Sequence, residues 1–261
     1  MKNYEKIVEL GCFSLGELAK KLNCCISTAA SLIQAYIKNG YIERIRRDLY
    51  VAISIETKQP ILSRYQIGCR LAQDAYLSHH SAFEVYGYAN QVFYEVYVAT
   101  ETRFMDFVYN GILYHRIAPK INADINIING VKVSSVEQTV VDSICDIEKI
   151  GGLEETIRSI LLIPSLNADK LLEALKNTDN GFVYQKCGYI LEGLNDSLHL
   201  PDSFFDECEK HISNAKRYLT KEHTGYVRHK KWKLFAPENI KNIIDKGVSE
   251  YVTFFLRPKE K

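Results

Sequence analysis

Five polar side chains recur at helical spacing near the start of the chain: Ser27, Thr28, Ser31, Gln34 and Lys38. Positions 27, 31, 34 and 38 fall on one stripe of an α-helix, because residues three or four apart are neighbours on its surface. The chemistry such a stripe offers is recognition. Glutamine matches the donor and acceptor on an adenine edge, hydroxyls reach bases or phosphates, and lysine neutralises a phosphate. Arg44, Arg46 and Arg47 follow closely. Residues 1 to 53 carry eight Lys or Arg against five Asp or Glu, in a chain whose net charge is +1. Near-neutrality excludes a uniformly basic protein and leaves polyanion contact to a local patch of this kind. An ordinary solvated helix face competes with this assignment.

Other chemistries find less support. His79 and His80 are adjacent, His115 sits in a strand-like run, and His199, His211, His223 and His229 are scattered. No Cys-x-x-Cys or His-Glu-x-x-His pattern organises them or the neighbouring Cys24 and Cys25, so no metal is expected. Ser81 near His79, with Asp106, lacks the glycine-flanked elbow of a hydrolytic serine. The carboxylate pairs Asp142 with Asp146 and Glu154 with Glu155 complete no glycosidase or nuclease pattern. Asp142, on an apolar helix, reads as a cap, a buried acceptor or an interface charge. Gly151-Gly152 is a turn and not a phosphate cradle. No catalytic residue and no cofactor is assigned.

The elements that must position the polar stripe are legible in the head. Residues 4 to 10 form a short amphipathic helix ended by Gly11. Ser14 and Glu17 make a capping box for a helix running to Leu22, with Phe13 as a staple to Leu18. After a short link Ser27 is expected to cap a third helix, whose apolar side includes Ala29, Ala30, Leu32, Ile33, Tyr36 and Ile37 and which closes at Asn39-Gly40. The period then changes from 3.6 to 2 across residues 41 to 53, flanking an Arg46-Arg47-Asp48 tip, which is a hairpin. Three helices and a hairpin within about 50 residues are the signature of a winged helix-turn-helix, the motif that presents one helix to a major groove.

Beyond Pro60, residues 67 to 77 return to a helical pattern. Residues 94 to 99, 112 to 117, 124 to 128 and 131 to 133 read as strands, with Asn129-Gly130 as a tight-turn signal. Helices are expected over 135 to 145, 153 to 162, 168 to 176, 182 to 194 and 204 to 212. Residues 226 to 235 alternate loosely, 237 to 246 suit a short helix, and 248 to 256 suit a terminal strand. The fold class is therefore α+β. The division expected is a winged helix-turn-helix domain over 1–53, a mixed α/β middle domain over 54–163, and a largely helical region over 164–261 packed on the middle domain and carrying the terminal strand. At 261 residues, two or more domains are the natural expectation. Seven scattered cysteines, no export signal and no apolar stretch long enough to span a bilayer point to a reduced, cytoplasmic protein.

Four word-like stretches, GYIERIRRDLYVA, YLSHHSAFEVYGYA, VYVAT and SSVEQTVVDSICDIEKIGGLEETIRSI, together resemble the AbiEi-like antitoxins and regulators of bacterial type IV toxin-antitoxin, or abortive-infection, systems. The resemblance covers roughly residues 2 to 160. Its more specific part is Thr139-Val140-Val141-Asp142 followed by Gly151-Gly152-Leu153-Glu154-Glu155; Tyr76, Leu77, Ser78, Ala82 and Gly87 match a helix-and-turn signature. The resemblance implies that the winged helix binds operator repeats in double-stranded DNA and represses its own operon. It also implies that the rest of the chain acts against a nucleotidyltransferase-like toxin encoded alongside. By position, Thr28, Ser31, Gln34, Arg46 and Arg47 match the DNA surface of that family, whose wing commonly has glycine where this chain has Asp48. A stand-alone winged-helix transcription factor with a sensing domain, and a nuclease-like enzyme, are the alternatives.

Overall fold

A computed structural model describes residues 3–221 and 223–244. The fold is α+β, and its contacts separate into two compact units. The first comprises Met1–Leu77, Tyr94–Ala118 and Asn129–Lys132; the second comprises Ser78–Phe93, Pro119–Ile128 and Val133–Lys261. The chain thus leaves the first unit and returns to it twice, and a boundary at residue 163 falls inside the second.

In the first unit, α1 (Tyr4–Leu10) ends at Gly11, whose φ of 66° suits a residue without a side chain. Helix α2 (Leu15–Leu22) opens on the expected capping box, with the Ser14 hydroxyl accepting from the Glu17 amide and the Glu17 carboxylate accepting from the Ser14 amide at 2.8 Å. Helix α3 (Ile26–Lys38) begins two residues earlier than the Ser27 cap required. Cys25 occupies the cap position, and Ser27 is the second helical residue. Strands β2 (Ile42–Arg46) and β3 (Leu49–Ala52) form the hairpin, and Asp48 takes the left-handed conformation, φ 54°, at its turn. A two-residue strand β1 (Cys12–Phe13), too short to show a period in sequence, pairs antiparallel with β3 and widens the wing to three strands in the order β1-β3-β2.

The head's core is made of Ile7, Phe13, Leu18, Ala29, Ile33 and Ile42 with their neighbours, so α1, α2, α3 and the wing close over one apolar centre. Phe13 and Leu18 are both fully buried in that core, on the two sides of the Ser14 cap where a hydrophobic staple places its pair. A helix cluster followed by a hairpin is a winged-helix-like arrangement.

The helical pattern expected over 67 to 77 resolves differently. A second capping box, Ser63 with Gln66, starts α4 (Arg64–Cys69) earlier, and β4 (Tyr76–Leu77) pairs antiparallel with β5 (Glu95–Ala99). Gly68 permits this packing, since a Cβ there would stand 3.0 Å from Leu77 and 3.2 Å from Val96. Strand β7 (Ile112–Ile117) runs parallel to β5 and antiparallel to β6 (Phe107–Tyr109). Asn110 and Gly111, with φ 49° and 74°, make the turn between β6 and β7.

The second unit holds α5 (His79–Tyr86), β8 (Ile125–Ile128), the end of β9 (Val131–Ser134), α6 (Val136–Cys145), a 3-10 turn (Ile147–Ile150), α7 (Leu153–Leu161) and α8 (Ala168–Lys176). It continues with α9 (Gly181–Gly193), α10 (Asn195–Leu198), α11 (Asp202–His211) and a small sheet. That sheet has the order β10 (Arg217–Tyr218), β12 (Leu234–Ala236), β11 (Val227–His229). The helices enclose a core that includes Val140, Ile144, Ile157, Leu171, Ile190, Phe204 and Trp232. Gly188 on α9 makes room for the Trp232 ring, which a Cβ would meet at 2.1 Å, and the Gln185 amide donates to the Trp232 carbonyl at 3.0 Å. The terminal strand expected over 248–256 lies outside the described residues, as does the end of the short helix expected over 237–246.

Candidate nucleic-acid interface

Helix α3 buries Ala29, Ile33 and Tyr36 and turns Ser27, Thr28, Ser31, Gln34 and Lys38 outward; all five are exposed. The division follows from helical geometry, since an apolar stripe docked on a core leaves the opposite stripe to solvent. The Ser31 hydroxyl donates to the Ser27 carbonyl at 3.1 Å, while no hydrogen bond within the described residues occupies Gln34 or Lys38. Lys38 sits in the last helical turn, where its charge also suits the helix dipole.

At the other end of α3, Cys25 is exposed and its Sγ lies 3.2 Å from the Ser27 hydroxyl and 3.1 Å from the Thr28 hydroxyl. Hydrogen bonds from Ser27, then from Thr28, bring its thiol down to about 7. Thiolate is thus a substantial form of Cys25 at neutral pH, at the start of the polar stripe. From the sequence, Cys25 is weighed only as a metal ligand beside Cys24 and set aside. Its signal was the Cys-x-Ser-Thr spacing at a helix start.

The three wing arginines do not share one role. Arg44 and Arg47 are exposed. Arg46 is half-buried: its guanidinium donates to the Leu71 carbonyl at 2.7 Å and lies over the Phe104 ring, 5.2 Å from the centroid. A register shift between Arg44 and Arg46 separates their directions. Arg46 therefore ties the wing to the rest of its unit, and Arg47 stands at the tip. Asp48 does not leave its charge loose there, because its carboxylate accepts from the Leu15 amide at 2.9 Å at the first turn of α2. Lys20 and Lys21 are exposed at the end of α2, and Lys21 pairs with Glu9 at 2.7 Å.

The groups considered for catalysis are engaged elsewhere. Asp106 meets His115 at 2.6 Å and accepts from the Arg116 amide; His79 faces Asp146 at 3.5 Å; Ser81 is fully buried. Asp142 is buried on α6 and accepts from Gln138 at 3.0 Å, and burial raises its carboxyl above the ordinary range. Glu154 pairs with Arg158 on α7, while buried Glu155 accepts from the backbone amides of Asn90 and Gln91. Among the described residues no group of three or more histidine, cysteine or carboxylate side chains is placed to hold a metal. All seven cysteines are free thiols, and no described helix is long and apolar enough to cross a membrane.

No family model matches the chain, and no curated protein sequence matches it.

Proposed function

We propose that the chain is a sequence-specific DNA-binding repressor of the AbiEi-like kind, whose head reads operator DNA. The observation that carries this is the outward stripe of α3, with Ser27, Thr28, Ser31, Gln34 and Lys38 exposed together on a helix whose other side is locked into the head's core. Exposed Arg44 and Arg47 on the wing supply the phosphate contacts that fix a recognition helix in register. Arg46 acts one step back, by holding the wing.

The antitoxin part rests on the resemblance of residues 2 to 160, and assigns the second unit to antagonism of a nucleotidyltransferase-like toxin without turnover of its own. Footprinting on the DNA upstream of the gene tests the first half: protection of paired repeats supports it, and uniform weak protection contradicts it. Co-expression with the neighbouring gene tests the second. Growth rescue that survives deletion of residues 1–53 would separate antitoxicity from DNA binding.

A stand-alone regulator with a sensing body is the second reading. It is favoured by a cavity of about 810 Å³ in the second unit, lined in part by Glu148, Thr220, Lys221, Tyr226 and Asn239. That size suits a small-molecule ligand. A neighbouring gene unrelated to nucleotidyltransferases would favour this reading over the antitoxin.

A further inference from the structure

A second cleft, of about 670 Å³, opens within the first unit beside the tip of the wing. Four separate stretches of chain wall it: the start of α2, the wing tip, the turn after α4, and residues 130 and 132. Four cations line it, Arg46, Arg47, Arg70 and Lys132, against two carboxylates, Glu17 and Asp48.

Both carboxylates are already committed. Glu17 closes the α2 capping box and pairs with Arg70 at 2.8 Å, and Asp48 accepts from the Leu15 amide. Arg46, Arg47 and Lys132 have no carboxylate oxygen within 4.0 Å among the described residues. Two of them are held by neutral oxygens of one turn: Arg46 donates to the Leu71 carbonyl at 2.7 Å, and Lys132 to the Gln73 carbonyl at 2.9 Å. A carbonyl orients a cation without cancelling its charge. The turn therefore keeps two half-buried positive groups on the cleft wall, and Arg47 adds a third.

We propose that this cleft binds a free phosphoryl dianion, the phosphate end of a small metabolite, through Arg46, Arg47 and Lys132. The surplus of two positive charges matches a doubly charged group, and guanidinium forks suit phosphate oxygens. The volume falls in the range of small-ligand sites, about 300–1,000 Å³. A DNA backbone phosphate has the same chemistry. The free anion fits better because Arg46 is drawn inward to Leu71 and Phe104, where a small anion entering the cleft meets it and an outer duplex surface does not. The proposal does not rest on the DNA-binding function, since the site and its test need no DNA.

Calorimetric titration of the full chain with inorganic pyrophosphate and with inorganic phosphate, at constant ionic strength set by chloride, tests it. The expected result is saturable one-site binding that weakens roughly tenfold in Lys132→Gln and in Arg47→Gln, the effect of removing one charge-assisted contact. Arg47 stands at the exposed wing tip, so its variant keeps the test valid if Lys132→Gln misfolds. Heats indistinguishable from chloride dilution, or binding unchanged in both variants, would overturn the proposal. So would Lys132→Gln weakening a complex with duplex DNA while the native chain takes no free pyrophosphate, since the cleft would then serve the backbone.

Discussion

The carboxylate of Asp48, at the turn of the wing, accepts a hydrogen bond from the backbone amide of Leu15, the first residue of α2, at 2.9 Å. One residue thus does two jobs at the wing tip. It takes the left-handed conformation the turn needs, φ 54°, and it satisfies an amide that the helix itself leaves without a partner. Aspartate here tethers the wing to α2, the helix that precedes α3.

Substitutions at Asp48 should separate these jobs. Asp48→Asn keeps an acceptor and tolerates positive φ, so its unfolding free energy should stay near that of the native chain. Asp48→Gly should lose about 1 kcal/mol with the cap, and Asp48→Ala about 1–2 kcal/mol more through strain at positive φ. Denaturant midpoints in that order support the account; equal losses in all three contradict it.

Gln34 and Arg47 should fail differently on DNA. Gln34→Ala is expected to relax preference at one base position, costing about 1–3 kcal/mol on the preferred site and little on others. Arg47→Ala should weaken every duplex alike and lower the salt dependence by about one phosphate contact. Binding to a panel of single-base variants at two salt concentrations distinguishes the two.

Cys25 should be the thiol that reacts first at neutral pH. Its hydroxyl neighbours bring it to about 7, whereas burial pushes Cys12 and Cys208 up to about 12 and Cys69 up to about 11. Thiolate accumulates as pH rises, so labelling by iodoacetamide followed by mass spectrometry should climb through pH 7 and level off near pH 8. Ser27→Ala should move that midpoint upward. Labelling of Cys25 that keeps rising above pH 9 in the native chain contradicts the assignment.

Asp142 links stability to pH in the direction opposite to a salt-bridged carboxylate. Burial raises its folded-state value above the ordinary 3.8, so the native state holds its proton more tightly than the unfolded chain does. Stability from this group is full below the unfolded value and falls as pH rises through the raised one. Asp142→Asn keeps an oxygen for Gln138 and removes the ionisation. Thermal midpoints should therefore rise at pH 8 and change little at pH 4; a loss at both would contradict the account.

Local signals were read well from sequence, and long-range ones were not. Ser14 and Glu17 announce α2 because a capping box is complete within four residues, and Asn39-Gly40 closes α3 for the same local reason. Asn110-Gly111 carried the same turn signal as Asn129-Gly130, but the strand before it, Phe107–Tyr109, is too short to establish a period. Arg46 and Arg47 look equivalent as letters. The register shift in β2 and the Leu71 carbonyl, 25 positions away in sequence, part them. Lys132 joins the wing cleft only through the fold, so no spacing rule could place it beside Arg46.

The central claim is that the head reads DNA through α3 and the wing, and fluorescence anisotropy of the full chain with the duplex upstream of its gene tests it most directly. The account predicts binding tighter than to a scrambled duplex of the same composition, with log affinity falling linearly in log salt at a slope of about −3 to −5, as expected for some three to five phosphate contacts. Equal affinity for both duplexes, or no salt-dependent binding by folded protein, would contradict it.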